Sequence, residues 1–206
     1  TEITYKREII VKLAAAKRAF HSKATNWQQL LADAFNKPPN NLTPWRSHRG
    51  FLNLIETHPE ALSDALDAIW DSENPDTDKY EDGIFLMERF LRVLSKDTPT
   101  VRHLNMLEVI GSFLLMAFDE FGHGRYPIYR ASPMIAAYAL TAEPLARPAT
   151  ALDRYAKAIA FMDKAQLEAT ERKVILRDRI DVQSVIWSIT NGDPPEQWGA
   201  ETKTAF

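Results

Sequence analysis

"MLEVIGSFLLMAF", residues 106–118, carries one charge in thirteen positions. Wound as a helix, its apolar side chains surround the whole circumference instead of forming one stripe. Such a helix has no face to give to water, so the rest of the chain must cover it. The run predicts the central buried helix of a helical protein, with Leu114 in its core.

The segments on either side read as that cover. Residues 3–20 place Ile9, Ile10, Leu13, Ala16 and Phe20 on one stripe, with Lys6, Arg7, Lys12, Lys17 and Arg18 largely elsewhere. That is the helical period. Residues 25–36 repeat it with Trp27, Leu30, Leu31, Ala34 and Phe35, and Thr25 reads as the N-cap. "NKPPNNLTPW" then breaks the chain, because consecutive prolines cannot continue a helix. Helices follow over 46–57 and 59–71, the second with Pro59 in its first turn. Further helices are expected over 83–95, 103–118, 133–140 (Ser132 as N-cap), 148–168 and 170–190. No alternating β-branched run bounded by hairpin turns appears, and no internal repeat. The expectation is an all-α protein, a single globular domain of about nine helices across residues 1–206. "DSENPDTDKYED", residues 71–82, is acidic and breaker-rich, and is its weakest join.

Composition bounds the class. At 206 residues the chain can bury a core without cross-links, and it has no cysteine. That excludes disulfides and cysteine-based zinc sites and fits a reducing, cytoplasmic setting. No apolar run reaches membrane-spanning length. The net charge of −3 hides an asymmetry. Residues 1–50 hold nine Lys/Arg against three Asp/Glu, and residues 51–100 hold four against twelve. A basic segment beside an acidic one reads as a nucleic-acid footprint, or as two regions that neutralise each other.

Catalytic patterns are thin. The five histidines make no HxxxH or HExxH spacing, and there is no GxxxxGK[ST], GxGxxG or GxSxG. No metal, cofactor or catalytic residue is expected. Asp119 and Glu120 offer at most a base beside a loop. A helical DNA glycosylase is the enzymatic reading, but the glycine-rich hairpin of that class is missing.

Two clusters carry recognition chemistry. "GRYPIYR", residues 124–130, sets Arg125, Tyr126, Tyr129 and Arg130 in one loop. Arginines fork onto phosphates, and tyrosines stack on bases. The alternative is a helix connection whose tyrosines are packing posts, with Arg130 paired to Asp119 or Glu120. "PWRSHRGFL", residues 44–52, sets Arg46, His48 and Arg49 at a helix start, where backbone N–H groups already favour an anion. A third run, "RDRIDVQSVIWSI" (177–189), reads as a core face of Ile180, Val185, Ile186, Trp187 and Ile189 with a solvated ionic face of Arg177, Asp178, Arg179 and Asp181.

The order "FL..I...PE.L..AL..IW" (51–70), "SFLLMAFD" (112–119), "RYPIYRASP" (125–133) and "RDRIDVQSVIW...PPEQW" (177–198) resembles the N-terminal region of McrB-like AAA+ proteins of bacterial restriction and anti-phage defence. The resemblance covers roughly residues 45–198. It implies a non-enzymatic module that recognises DNA, often modified DNA, for an AAA+ motor and a nuclease subunit. The motor's phosphate-binding motifs are absent from this chain. A chain opening on Thr1 fits the N-terminal module of a longer protein. The competing expectation is a protein-interaction module that senses a phage component or docks a motor, using the acidic 56–82 segment.

Overall fold

The computed structural model describes residues 2–36, 42–43, 45–71, 80–97, 106–119, 124–143 and 150–191. Among these the fold is all-α: nine helices and no strand. The helices are α1 (Glu2–His21), α2 (Trp27–Phe35), α3 (Trp45–Thr57), α4 (Pro59–Ile69) and α5 (Tyr80–Asp97). They continue as α6 (Met106–Leu115), α7 (Ala131–Leu140), α8 (Ala151–Glu171) and α9 (Arg179–Asn191). A 3₁₀ turn, Met116–Asp119, extends α6.

The α6 run is the centre, as its composition requires. Ile110, Phe113, Leu114, Leu115 and Met116 are all buried. Phe113 packs on Phe35 of α2 (ring centroids 4.5 Å apart), which stacks on Phe51 of α3 at 4.7 Å. Trp70, closing α4, donates its indole N–H to the Leu114 carbonyl at 3.0 Å. A ring that large is buried at little cost only when its N–H finds an acceptor. Against α6, Gly111 lets Met87 of α5 approach so closely that a Cβ would meet its Cγ.

The α1 stripe is buried throughout, from Ile9 to Phe20. α4 starts at Pro59, as expected. Three local expectations fail. Asn26, not Thr25, precedes α2, without a side-chain cap bond. Arg130, not Ser132, is the N-cap residue of α7. The helix predicted over 170–190 begins only at Arg179, because α8 runs on to Glu171 and closes there. Val185, read as core, is exposed. Most of "NKPPNNLTPW" and of the acidic 71–82 join lies outside the described residues. No described helix is long and apolar enough to cross a membrane.

Candidate nucleic-acid interface

Residues 124–130 form neither helix nor strand, all but Arg125 and Arg130 are buried, and no strand among the described residues pairs with their backbone. Buried N–H and C=O groups must nonetheless be paired. Side chains do this work. Asp119 accepts from the N–H groups of Arg125 (2.9 Å) and Tyr126 (2.8 Å). Ser112 Oγ accepts from Tyr129 N–H at 2.8 Å. Arg179 donates to the Arg125 carbonyl at 2.8 Å, and the Tyr155 hydroxyl to that of Pro127 at 3.1 Å. The Gln183 amide donates to the Ile128 carbonyl. Elements α6, α8 and α9 thus each hold one stretch of the segment.

This corrects the stacking roles expected of the tyrosines. Tyr126 is 0 % exposed and Tyr129 4 %. Tyr126 sits edge-on to Phe118 at 6.2 Å and Tyr129 edge-on to Tyr155 at 6.5 Å. Neither ring offers a face to a base. Arg130 is half-buried, donates to the Leu42 carbonyl at 2.8 Å and lies 5.1 Å over the Trp187 ring. Burial holds its pKa below the usual guanidinium value. Through that carbonyl it ties the segment to the approach to α3. Arg125 is half-exposed at the surface end.

In the second cluster, His48 is half-buried, 6.0 Å from the Phe35 ring, and Arg49 is exposed on α3. Arg46 lies on α3, but its side chain is outside the described residues, as are Glu120 and His123. Asp119, a candidate base, is fully buried and spends both oxygens on backbone donors. Burial pushes its carboxyl above the usual range against those hydrogen bonds. It clamps the backbone of the 124–130 segment. Among the described residues no group of three or more His, Asp or Glu could hold a metal ion.

The acids of the ionic run that leads into α9 are not on a solvated face. Asp178 and Asp181 are 7 % and 5 % exposed. Arg7 of α1 reaches both, at 2.6 and 3.4 Å. Arg177 forks onto Asp181, which this pairing holds below the ordinary carboxylate pKa. Arg179 pairs with Asp163 of α8 at 2.6 Å. Lys6, buried on α1, donates to Ser184 of α9 at 3.1 Å. The α1–α9 contact is a polar seam, which a purely apolar stripe model of either helix misses.

The outward side of α1 is the feature sequence reasoning undervalued. No Asp or Glu occurs from Ile9 to Ala32, a stretch holding Lys12, Lys17, Arg18, Lys23 and His21. Lys12, Arg18 and Lys23 are exposed. Lys17 sits 3.5 Å over the Phe118 ring, whose other neighbour is Tyr126. The basic helix and Arg125 therefore adjoin through Phe118 and Asp119. The signal was present as an uninterrupted run without carboxylates.

Searches against family models, curated proteins and solved structures give no match for this chain.

Proposed function

We propose that this chain is a non-enzymatic DNA-recognition module that grips phosphates on the outward side of α1. The supporting observation is the carboxylate-free basic stretch of α1, exposed at Lys12, Arg18 and Lys23 with Arg125 adjoining. Phosphate contacts supply affinity without sequence information, and each releases counterions. In this reading Tyr126 and Tyr129 scaffold the surface. Arg49 and His48 form a separate, secondary edge.

The test is a salt titration of duplex binding by fluorescence anisotropy. Lys12→Ala/Arg18→Ala/Lys23→Ala should weaken binding to all sequences and lower the slope of log Kd against log salt by about three, one per lost contact. Binding with no salt dependence, or a triple variant with the parent's slope, would sink the proposal. The resemblance to McrB-like modules extends it to a bacterial restriction or anti-phage system with an AAA+ motor and a nuclease as partners. A GxxxxGK[ST] motif downstream in the same reading frame would support that extension, and a stop codon at this point would count against it.

A second reading, a protein-docking module, draws on a groove of ≈500 Å³ between α4 and α5. Asp64, Asp67 and Asp71 line it with Arg89 and Arg92. It would take a basic peptide, and Asp64→Lys/Asp67→Lys would abolish that binding while leaving DNA affinity intact or higher.

A further inference from the structure

The connection from α8 to α9 holds an aliphatic side chain in water. Ile175 is 87 % exposed and Val174 53 %. The exposure does not come from a loose connection. Lys173 takes a left-handed conformation (φ 63°), Val174 N–H bonds the Ala169 carbonyl at 2.8 Å and Lys173 N–H bonds that of Thr170 at 2.9 Å. That pair of bonds is the Schellman closure. Gln166 then straps the Leu176 carbonyl at 2.9 Å. The turn is fixed on both sides of Ile175, so its side chain is presented and not merely unpacked.

Its surroundings are cationic. Arg172, Lys173 and Arg177 lie within three residues of it and are exposed; Asp178, the one acid in that span, is buried, and Glu171 lies four residues away. Buried Asp181 holds Arg177 from beneath, leaving the guanidinium outermost. Arg177 also lines a groove of ≈530 Å³ with Ile3, Thr4, Arg7, Glu8 and Val11. Those α1 residues lead directly into Lys12. Arg177, two residues from the tip, therefore lines the groove beside the α1 residues that lead to Lys12.

We propose that Ile175 is a wedge that enters the stacked base pairs of bound duplex DNA; the inference rests on the DNA reading of α1. Rigid aliphatic tips flanked by cations unstack a base step and kink the duplex, with the cations on the phosphates either side. Val174 would follow it into the groove. The step is mechanical, with no bond made or broken.

The experiment uses duplexes carrying 2-aminopurine at successive positions, and duplexes with a donor and an acceptor dye at their ends. Wild-type protein should raise 2-aminopurine fluorescence at one step and shorten the end-to-end distance. Ile175→Ala should lose most of both signals while keeping the parent's salt slope, and Ile175→Met should retain them. Melting temperature should not move, since the side chain packs against little. If Ile175→Ala binds with unchanged fluorescence and distance, the wedge is wrong while the phosphate-binding face stands. If folded wild-type protein binds no duplex at low salt, the face is wrong and the wedge falls with it. If Ile175→Ala changes only self-association in sedimentation, the tip is a protein contact and the wedge is again wrong.

Discussion

The Tyr126 ring stands where a side chain on residue 83 would have to be. A Cβ built on Gly83, in the first turns of α5, falls inside contact distance of the ring's Cε1 and Cδ1. Glycine is needed there for close approach, because the backbone is ordinary helix. Gly83→Ala should destabilise by about 1–3 kcal/mol through overpacking. Urea denaturation measures it, and Gly83→Ala/Tyr126→Leu should recover part of the loss. An unchanged midpoint for the single variant would mean the ring is not lodged against α5.

Arg7 is the partner that permits two carboxylates to be buried side by side. Arg7→Met removes the ion pair of Asp178, which keeps the Asp181 N–H on its other oxygen, while Asp181 keeps Arg177. Removing one member of a buried pair costs about 3–5 kcal/mol. The partial exposure of Arg7 and the surviving Arg177 pairing place this case near or below the lower end. In a double-mutant cycle, Arg7→Met should cost clearly less once Asp178→Asn is present. Additive losses would show that the two groups do not interact.

Lys173 occupies a conformation that suits glycine. A left-handed C′ position costs a side-chain-bearing residue strain that glycine avoids. Lys173→Gly is expected to stabilise by up to about 1 kcal/mol, raising Tm by a few degrees at most. A clear drop in Tm would mean the lysine side chain does something that the turn geometry does not reveal.

Two aspartates give stability opposite pH slopes. Asp119 has a raised folded pKa, from burial, so the native state binds its proton more tightly than the unfolded chain does. Its contribution therefore declines as pH rises from about 4. Asp181 is held low, chiefly by its hydrogen bonds from Arg177, so its contribution is complete above the ordinary carboxylate value and fades as pH falls through it. In urea titrations at successive pH values, wild type minus Asp119→Asn should fall as pH rises from about 4, whereas wild type minus Asp181→Asn should fall only as pH drops below about 4 and stay level above it. A flat difference for Asp119→Asn would remove the argument for a perturbed clamp.

Apolar periodicity carried most of the fold. The α1 stripe and the all-round apolar α6 run were readable because burial of those residues is their largest energy term. What escaped was decided by single polar contacts. The end of α8 has no Gly or Pro to mark it, since a lysine adopts the left-handed turn. The charges before α9 looked solvated, because a sequence cannot show that Arg7, some 170 positions earlier, is waiting for them. Tyr126 and Tyr129 look alike as stackers or as posts until their burial is known. Lys12 and Arg18 stay outward on α1 and Arg125 is half-exposed, and that part of the candidate surface was legible from charge alone.

The polar seam between α1 and α9 also dictates when the molecule can be finished. Lys6 and Arg7 meet their partners only after Ser184 has been made, and the 124–130 segment waits for Arg179 and Gln183 to receive its carbonyls. A growing chain on the ribosome holds early helices whose buried charges and backbone groups have nowhere to go. Contacts of such long sequence separation come late and slowly. Until α9 emerges, the faces of α1, α7 and α8 that pack against it are uncovered. A truncation at residue 178 would keep eight of the nine described helices and still leave a chain unable to close.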